Sequence, residues 1–323
     1  MKINAVLYDA RRADQQIELD DLGHESLHDE KLLWVDISER DPEALTSVVE
    51  KLQLENVPCS RIIEESPRPR IANFEDFFYF SIDSIATTED EPPRKLPIDF
   101  VVGTNFIITV HDGPVTYFDE FRDREKGETQ FGALDAESFV AALMDRHIVS
   151  YFRGIEYIES QVDSLDDKVI DREISTDDFL AEMVKLRRSV SALRNWLLPH
   201  RDLIYTFSRS DFTRIHKSDS IEQFQLLSQH FESAVEGVEA AREKVLGTFS
   251  LYATKSDQIM NLFVQRLTFI ALVVGGLGVV AGALGMNFQA SIFDSPLGFW
   301  VAIALMVVFS IVVTVYAWWR KWI

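Results

Sequence analysis

The residues with the clearest chemical potential lie on one line near the C-terminal end of the chain. Alternating steps of four and three from Ser250 reach Thr254, Asp257, Asn261, Val264, Thr268, Ala271, Gly275, Gly278, Gly282 and Gly285. Such steps stay on one face of an α-helix, and every residue on the line is small, polar or both. Toward the N-terminus the line continues through Glu232, Glu236, Glu239 and Glu243, with Val235, Val238, Val245 and Phe249 on the opposite side. One helix from Glu232 to Gly285 would carry this acidic-to-polar-to-small seam for about 80 Å. Two chemistries fit. If copies of the chain surround an axis, the seam becomes rings of carboxylates, amides and carbonyls, which is how cation pores are built. If the glycines form a close-packing face, Gly278 and Gly282 are a GxxxG pair and the acidic half is a solvated surface. Asn261 and Thr268 favour the pore, because an amide turned toward lipid would need a partner.

The elements that must position this line are membrane spans. Residues 267–284 are uncharged, and about 18 residues nearly cross a hydrocarbon core. A second uncharged run covers 297–319, leaving 285–296 as a short outer loop. Arg266 precedes the first run, Arg320 and Lys321 follow the second, and the loop holds Asp294 but no Lys or Arg. The positive-inside rule then predicts both termini in the cytoplasm of a multi-pass plasma-membrane (inner-membrane) protein. Trp300, Trp318, Trp319 and Trp322 stand where an aromatic belt would. The N-terminus turns polar by Asp9 and lacks the apolar stretch of a signal peptide.

The remainder reads as an α+β cytoplasmic domain with a mixed sheet over 1–132, then a long-helix region and stalk over 133–261, before the transmembrane hairpin of 262–323. Residues 32–37 and 77–82 are β-prone. Residues 98–102 and 105–110 flank Gly103-Thr104 as a hairpin. Asp41-Pro42-Glu43 opens a helix, and Pro199 is expected to kink or end one. With 52 acidic against 32 basic residues, the net charge of −20 repels nucleic acid and attracts cations. A single cysteine, Cys59, excludes an intrachain disulfide and reads as a buried thiol of a reducing compartment.

Other signals are weak. Gly276-Leu277-Gly278-Val279-Val280-Ala281 fits a dinucleotide fingerprint but lies inside a span without βαβ context. His24 and His28 have helical metal-ligand spacing in what reads as a surface turn. No P-loop or nucleophile–base constellation is visible, so no enzyme and no resident cofactor are expected.

The first span ends in Gly285-Met286-Asn287, and here the chain resembles the CorA family of magnesium channels, which includes ZntB-like zinc transporters and mitochondrial relatives. Trp34-Val35-Asp36-Ile37, Pro69-Arg70-Ile71, Gly103 to His111, Leu186-Arg187-Arg188, Leu198-Pro199-His200-Arg201 and the basic, Trp-containing end Arg320-Lys321-Trp322-Ile323 extend the likeness over nearly the whole chain. The resemblance implies a funnel-shaped homopentamer with the bilayer around its spans. The first span would line the pore, with Gly285, Met286 and Asn287 as the outer mouth. Asp294 would gather cations there, Asn261 would bind ions at the inner end, and Val264 and Leu267 would form a dewetting gate. Mg²⁺, or another divalent cation, would be both the transported ion and a regulator, with Glu89, Asp90 and Glu91 as contributors to regulatory sites. The outer loop lacks the Met-Pro-Glu common in magnesium members, Ser250 stands where an Asp is frequent, and the basic end is shortened. These departures bear on ion selectivity. A ZntB-like zinc transporter and a non-conducting sensor or scaffold of the same fold remain the alternatives.

Overall fold

The computed structural model describes residues 3–9, 15–18, 31–64, 68–87, 91–124, 136–171, 174–209, 218–285 and 296–319. Two compact units emerge. One comprises Met1–Lys168 and Arg172–Thr248, the other Val169–Asp171 and Phe249–Ile323.

The first unit is built on a seven-stranded sheet. Its strands are β1 (Ile3–Asp9), β2 (Gln15–Ile17), β3 (Lys31–Ile37), β4 (Arg70–Asn73), β5 (Phe77–Ala86), β6 (Arg94–Gly103) and β7 (Phe106–His111), in the order β2-β1-β3-β7-β6-β5-β4. All neighbours are antiparallel except β3 and β7, where Trp34 sits beside Ile107 and Ile37 beside Val110. The expected hairpin at Gly103-Thr104 is present, with Val102 opposite Ile107. Strands β5 to β7 are buried almost throughout because both faces of the sheet are covered.

Side chains alternate across a strand, and each face has its own cover. Leu33, Val35 and Ile37 join Phe77, Tyr79, Val101 and Ile108 beneath helices α1 (Pro42–Lys51) and α2 (Cys59–Ile63), which contribute Ala44, Leu45, Val48 and Ile62. Asp41 caps α1 as expected: its carboxylate accepts from the Glu43 N–H at 3.0 Å, and Pro42 occupies the first helical position. The opposite face is aromatic. Trp34 meets Phe118 and Phe121 of α3 (Thr116–Arg124) and Phe139 of α4 (Ala136–Asp171) edge-on. Phe80 stacks on Phe100 at 4.5 Å and meets Phe207 of α6 (Arg201–Phe207) at 5.1 Å.

Three long helices complete the unit: α4, α5 (Thr176–Leu197) and the N-terminal part of α7 (Ser218–Leu284). Each hides a heptad-like seam: Ile148, Tyr151, Ile155, Ile158, Val162 and Leu165 on α4; Phe179, Met183, Leu186, Val190, Leu193 and Leu197 on α5; Phe224, Leu227, Phe231, Ala234, Val238, Ala241 and Val245 on α7. Pro199 ends α5, as its missing N–H requires, inside a 3₁₀ turn at Leu198–His200 that leads into α6. At Gly154, α4 packs closely against Ile85 of β5 and Leu193 of α5. A Cβ there would lie 2.7 Å from Ile85 Cδ1 and 3.3 Å from Leu193 Cδ2. Gly154→Val is therefore expected to overpack this junction and cost about 1–3 kcal/mol, read as a lower urea midpoint at unchanged slope. An unchanged midpoint would show that Ile85 and Leu193 have room to withdraw.

Candidate functional site

In the second unit α7 runs to Leu284 without a proline, and α8 (Pro296–Trp319) opens with one at its first position. Both helices are long and apolar enough to cross a membrane, with mean hydropathy of 1.9 over the richest window of the first and 2.6 over that of the second. The two helices touch along a narrow line. On α7 the less exposed positions are Gln265, Phe269, Val273, Gly276 and Leu277. On α8 they are Gly298, Ala302, Met306, Ser310, Val313 and Ala317. A Cβ on Gly276 would lie 3.4 Å from the Phe309 ring.

The line of small and polar residues falls outside this contact. Asp257, Asn261, Val264, Leu267, Thr268, Ala271, Gly275, Gly278, Gly282 and Gly285 are all exposed. A Cβ built at Gly275, Gly278 or Gly282 meets nothing within 4 Å. Within the chain, then, the packing glycine is Gly276, and the seam glycines are not used to bind α8. The less exposed line on α8 went unread in the sequence, although Gly298, Ala302, Met306 and Ser310 at steps of four are its signal. Thr268 satisfies its own hydroxyl hydrogen on the Val264 carbonyl at 2.8 Å, leaving oxygen lone pairs outward. The Asn261 amide has no hydrogen-bond partner among the described residues. Met286, Asn287 and Asp294 lie outside the described residues, as do Glu89, Asp90, His24 and His28. Glu91 is described. It is exposed and reaches Arg94 at 3.5 Å. Among the described residues no group of three or more His, Cys, Asp or Glu is placed to hold a metal within one chain.

The acidic half of the expected seam requires correction. Arg201 takes Glu232 through two hydrogen bonds at 2.8 and 3.1 Å. Arg194 takes Glu239 at 2.5 Å, and Arg242 adds a second contact at 3.3 Å. The Arg194 hydrogen bond, more than any other influence, holds the Glu239 carboxyl below the usual carboxylate range. These two carboxylates are cross-links from α7 to α5 and α6, not bare charges along an axis. Glu236 and Glu243 remain exposed.

A cleft of about 520 Å³ lies at the carboxyl ends of the parallel pair β3 and β7, lined by Asp36, Ser38, Glu39, His111, Phe118, Asp119 and Arg122 among others. Its floor is a closed charge network. Asp36 accepts from Thr109 Oγ1 at 2.6 Å and from Arg122, and its Oδ1 lies 3.1 Å from His111 Nε2. Burial alone would raise this carboxyl, but the hydrogen bond and charge of His111, then Arg122 and Thr109, hold it below its ordinary value. Arg122 also lies over the Trp34 ring at 4.7 Å.

Comparison with known proteins decides the family: the CorA-like Mg2+ transporter protein family matches residues 29–320. The chain belongs to the CorA family. The cobalt/magnesium transport protein CorA of Methanocaldococcus jannaschii is 25% identical over 296 residues, 88% of this chain and 89% of that protein. The divalent cation transporter CmaX of Pseudomonas aeruginosa is 23% identical over 282 residues, 86% of this chain and 83% of the relative. The complete structure of the CorA magnesium transporter from Methanocaldococcus jannaschii superposes with a TM-score of 0.75 over all of both chains at 19% identity. The fold expected from sequence, a mixed sheet with helices followed by long helices and a two-helix apolar end, is that of CorA. The coarse function follows: a divalent-cation transporter of the membrane.

Proposed function

We propose that this CorA-family chain is one subunit of a homopentameric channel that moves hydrated Mg²⁺ inward down the membrane potential, with both termini in the cytoplasm. The observation that carries this reading is the uncovered seam: α8 takes the Gly276 side of α7 and, among the described residues, leaves Asn261, Thr268, Gly275, Gly278 and Gly282 exposed. An unpartnered amide in or beside a span is costly against lipid and useful against a wet axis. Asp257 and Asn261 would meet ions at the inner end, Val264 and Leu267 would gate by dewetting, and Ala271 to Gly282 would form a smooth bore. Gly285, Met286 and Asn287 would shape the outer mouth, with Asp294 raising the local cation concentration. Mg²⁺ dehydrates reluctantly, so neutral oxygens suit a filter that touches its waters. An inside-negative potential supplies about 4.6 kcal/mol per 100 mV to a divalent ion, twice the single-charge value. Intracellular divalent ions would close the channel at sites between subunits, with Glu89, Asp90 and Glu91 as contributors.

The second reading is a ZntB-like zinc transporter. It is favoured by the outer loop, which lacks Met-Pro-Glu. Flux into dye-loaded vesicles separates these readings. Mg²⁺ influx without a pH gradient, lost to background in Asn287→Ala, supports the magnesium channel. Zn²⁺ flux that requires a pH gradient supports the second reading. No flux of Mg²⁺, Co²⁺ or Zn²⁺ under either condition would leave a sensor or scaffold.

A further inference from the structure

Where β5 meets α4 and the turn before α6, the first unit buries two histidines against each other. His147 and His200 are both 0% exposed, and their rings lie 4.9 Å apart. His200 is fully satisfied as a neutral ring. Its Nδ1 donates to the Leu197 carbonyl at 3.0 Å, and its Nε2 accepts from the Asp83 backbone N–H at 2.9 Å. This single ring thereby joins the 3₁₀ turn to β5. His147 has neither advantage. Among the described residues neither of its buried ring nitrogens has a hydrogen-bond partner, and the Tyr151 ring stands edge-on to it at 5.4 Å.

We propose that the His147–His200 pair is an acid-sensitive latch that holds α4 and the turn before α6 onto β5, and that proton entry at this pair releases them.

Among the described residues the surroundings offer an added proton no counter-charge that is not already engaged. From α4, Tyr151 spends its hydroxyl on the Asp83 carbonyl at 2.6 Å, and the Ser150 hydroxyl bonds back to the His147 carbonyl at 2.6 Å. From β5, Ser84 faces Ser150 at 3.4 Å, and the Asp83 carboxylate reaches Lys95 of β6 at 3.0 Å. From α3, burial raises the Tyr117 hydroxyl well above its ordinary range, so it supplies no negative charge. Protonating either ring would bury an uncompensated cation. In His200 it would also turn Nε2 into a donor facing the Asp83 N–H, breaking the link to β5.

The sign follows from burial. Desolvation lowers the tendency of both rings to take a proton, His200 adds its own opposition at His147, and His200 falls to about 4. The unfolded rings titrate near 6.5. Stability is thus complete above about pH 6.5. It is lost as pH falls below that value, by up to about tenfold in the opening equilibrium per histidine per pH unit, until near pH 4 His200 itself accepts the proton.

Backbone hydrogen exchange of the full chain in lipid nanodiscs tests this. Between pH 7.5 and 5.5, after correction for intrinsic rates, protection of β5 and of residues 197–207 is expected to fall by roughly 100-fold, one factor of ten from each ring over the unit below 6.5. His147→Phe keeps the ring volume and removes the orphaned nitrogens, so its loss should shrink to about tenfold. Unchanged wild-type protection at pH 5.5, or an equal loss in His147→Phe, overturns the latch. If that variant does not fold, exchange at the imidazole C2 proton of wild-type His147 decides instead. No inflection between pH 5.5 and 7.5 supports the latch, and an inflection near 6.5 refutes it.

Discussion

Gly278→Leu is expected to reduce Mg²⁺ influx by roughly 100-fold or more while the hairpin and the oligomer stay intact, because in the proposed channel an isobutyl group from every subunit would fill the bore with apolar bulk. The chain itself should tolerate the change. A Cβ at Gly278 has nothing within 4 Å, and leucine is the better helix former by about 1 kcal/mol. Two neighbouring positions serve as controls. Val279, 74% exposed and one residue around the helix, should accept leucine without loss of flux. Gly276→Leu should lower the yield of folded protein instead, because its side chain would enter the Phe309 ring. The measurement is dye-reported influx in vesicles, beside chromatography of the assembled protein. Wild-type flux from Gly278→Leu, or collapse of the assembly, would mean that the seam is a close-packed face and not a water-filled one.

The second large effect is on stability and centres on Arg40. Its side chain is 7% exposed and closes three elements at once. One nitrogen meets Asp99 of β6 at 2.6 Å and also the Ile62 carbonyl at the end of α2, another donates to the Pro97 carbonyl at 3.1 Å, and Nε lies 3.3 Å from Asp112. Asp99 is itself buried and accepts the Tyr79 hydroxyl at 2.5 Å. Burial first, and then the neighbouring Asp99, push that hydroxyl well above its ordinary range, so it remains a donor. Arg40→Met leaves a carboxylate in the core without its cation and is expected to cost about 3–5 kcal/mol. Adding Asp99→Asn removes the stranded charge, keeps an acceptor for Tyr79, and should return part of the loss. Urea unfolding followed by tryptophan fluorescence would show this as a midpoint that drops and then recovers. A loss below about 1 kcal/mol in the single variant would show that water reaches Asp99 after all.

Local features were the legible ones. The Asp41-Pro42 start of α1, the hairpin at Gly103-Thr104 and the break at Pro199 each depend on a few consecutive residues, and each appears where expected. The parallel pairing of β3 with β7 was not legible, because Trp34 and Ile107 are brought together only after α1, α2 and three more strands have been placed. Glu232 and Glu239 illustrate the same limit in charge. Their periodicity put them on the seam of α7, but their counter-ions Arg201 and Arg194 come from helices 31 and 45 residues away.

By itself the sequence determined the family, the two apolar helices and the period of the small-residue seam, because hydropathy and helical phase are properties of consecutive residues. Only the tertiary structure decided which side of that helix α8 covers, which glutamates are neutralised, and that His147 and His200 share one dry site. Each of those depends on a long-range neighbour that excludes water or supplies an opposite charge, and no spacing along the chain encodes which neighbour arrives.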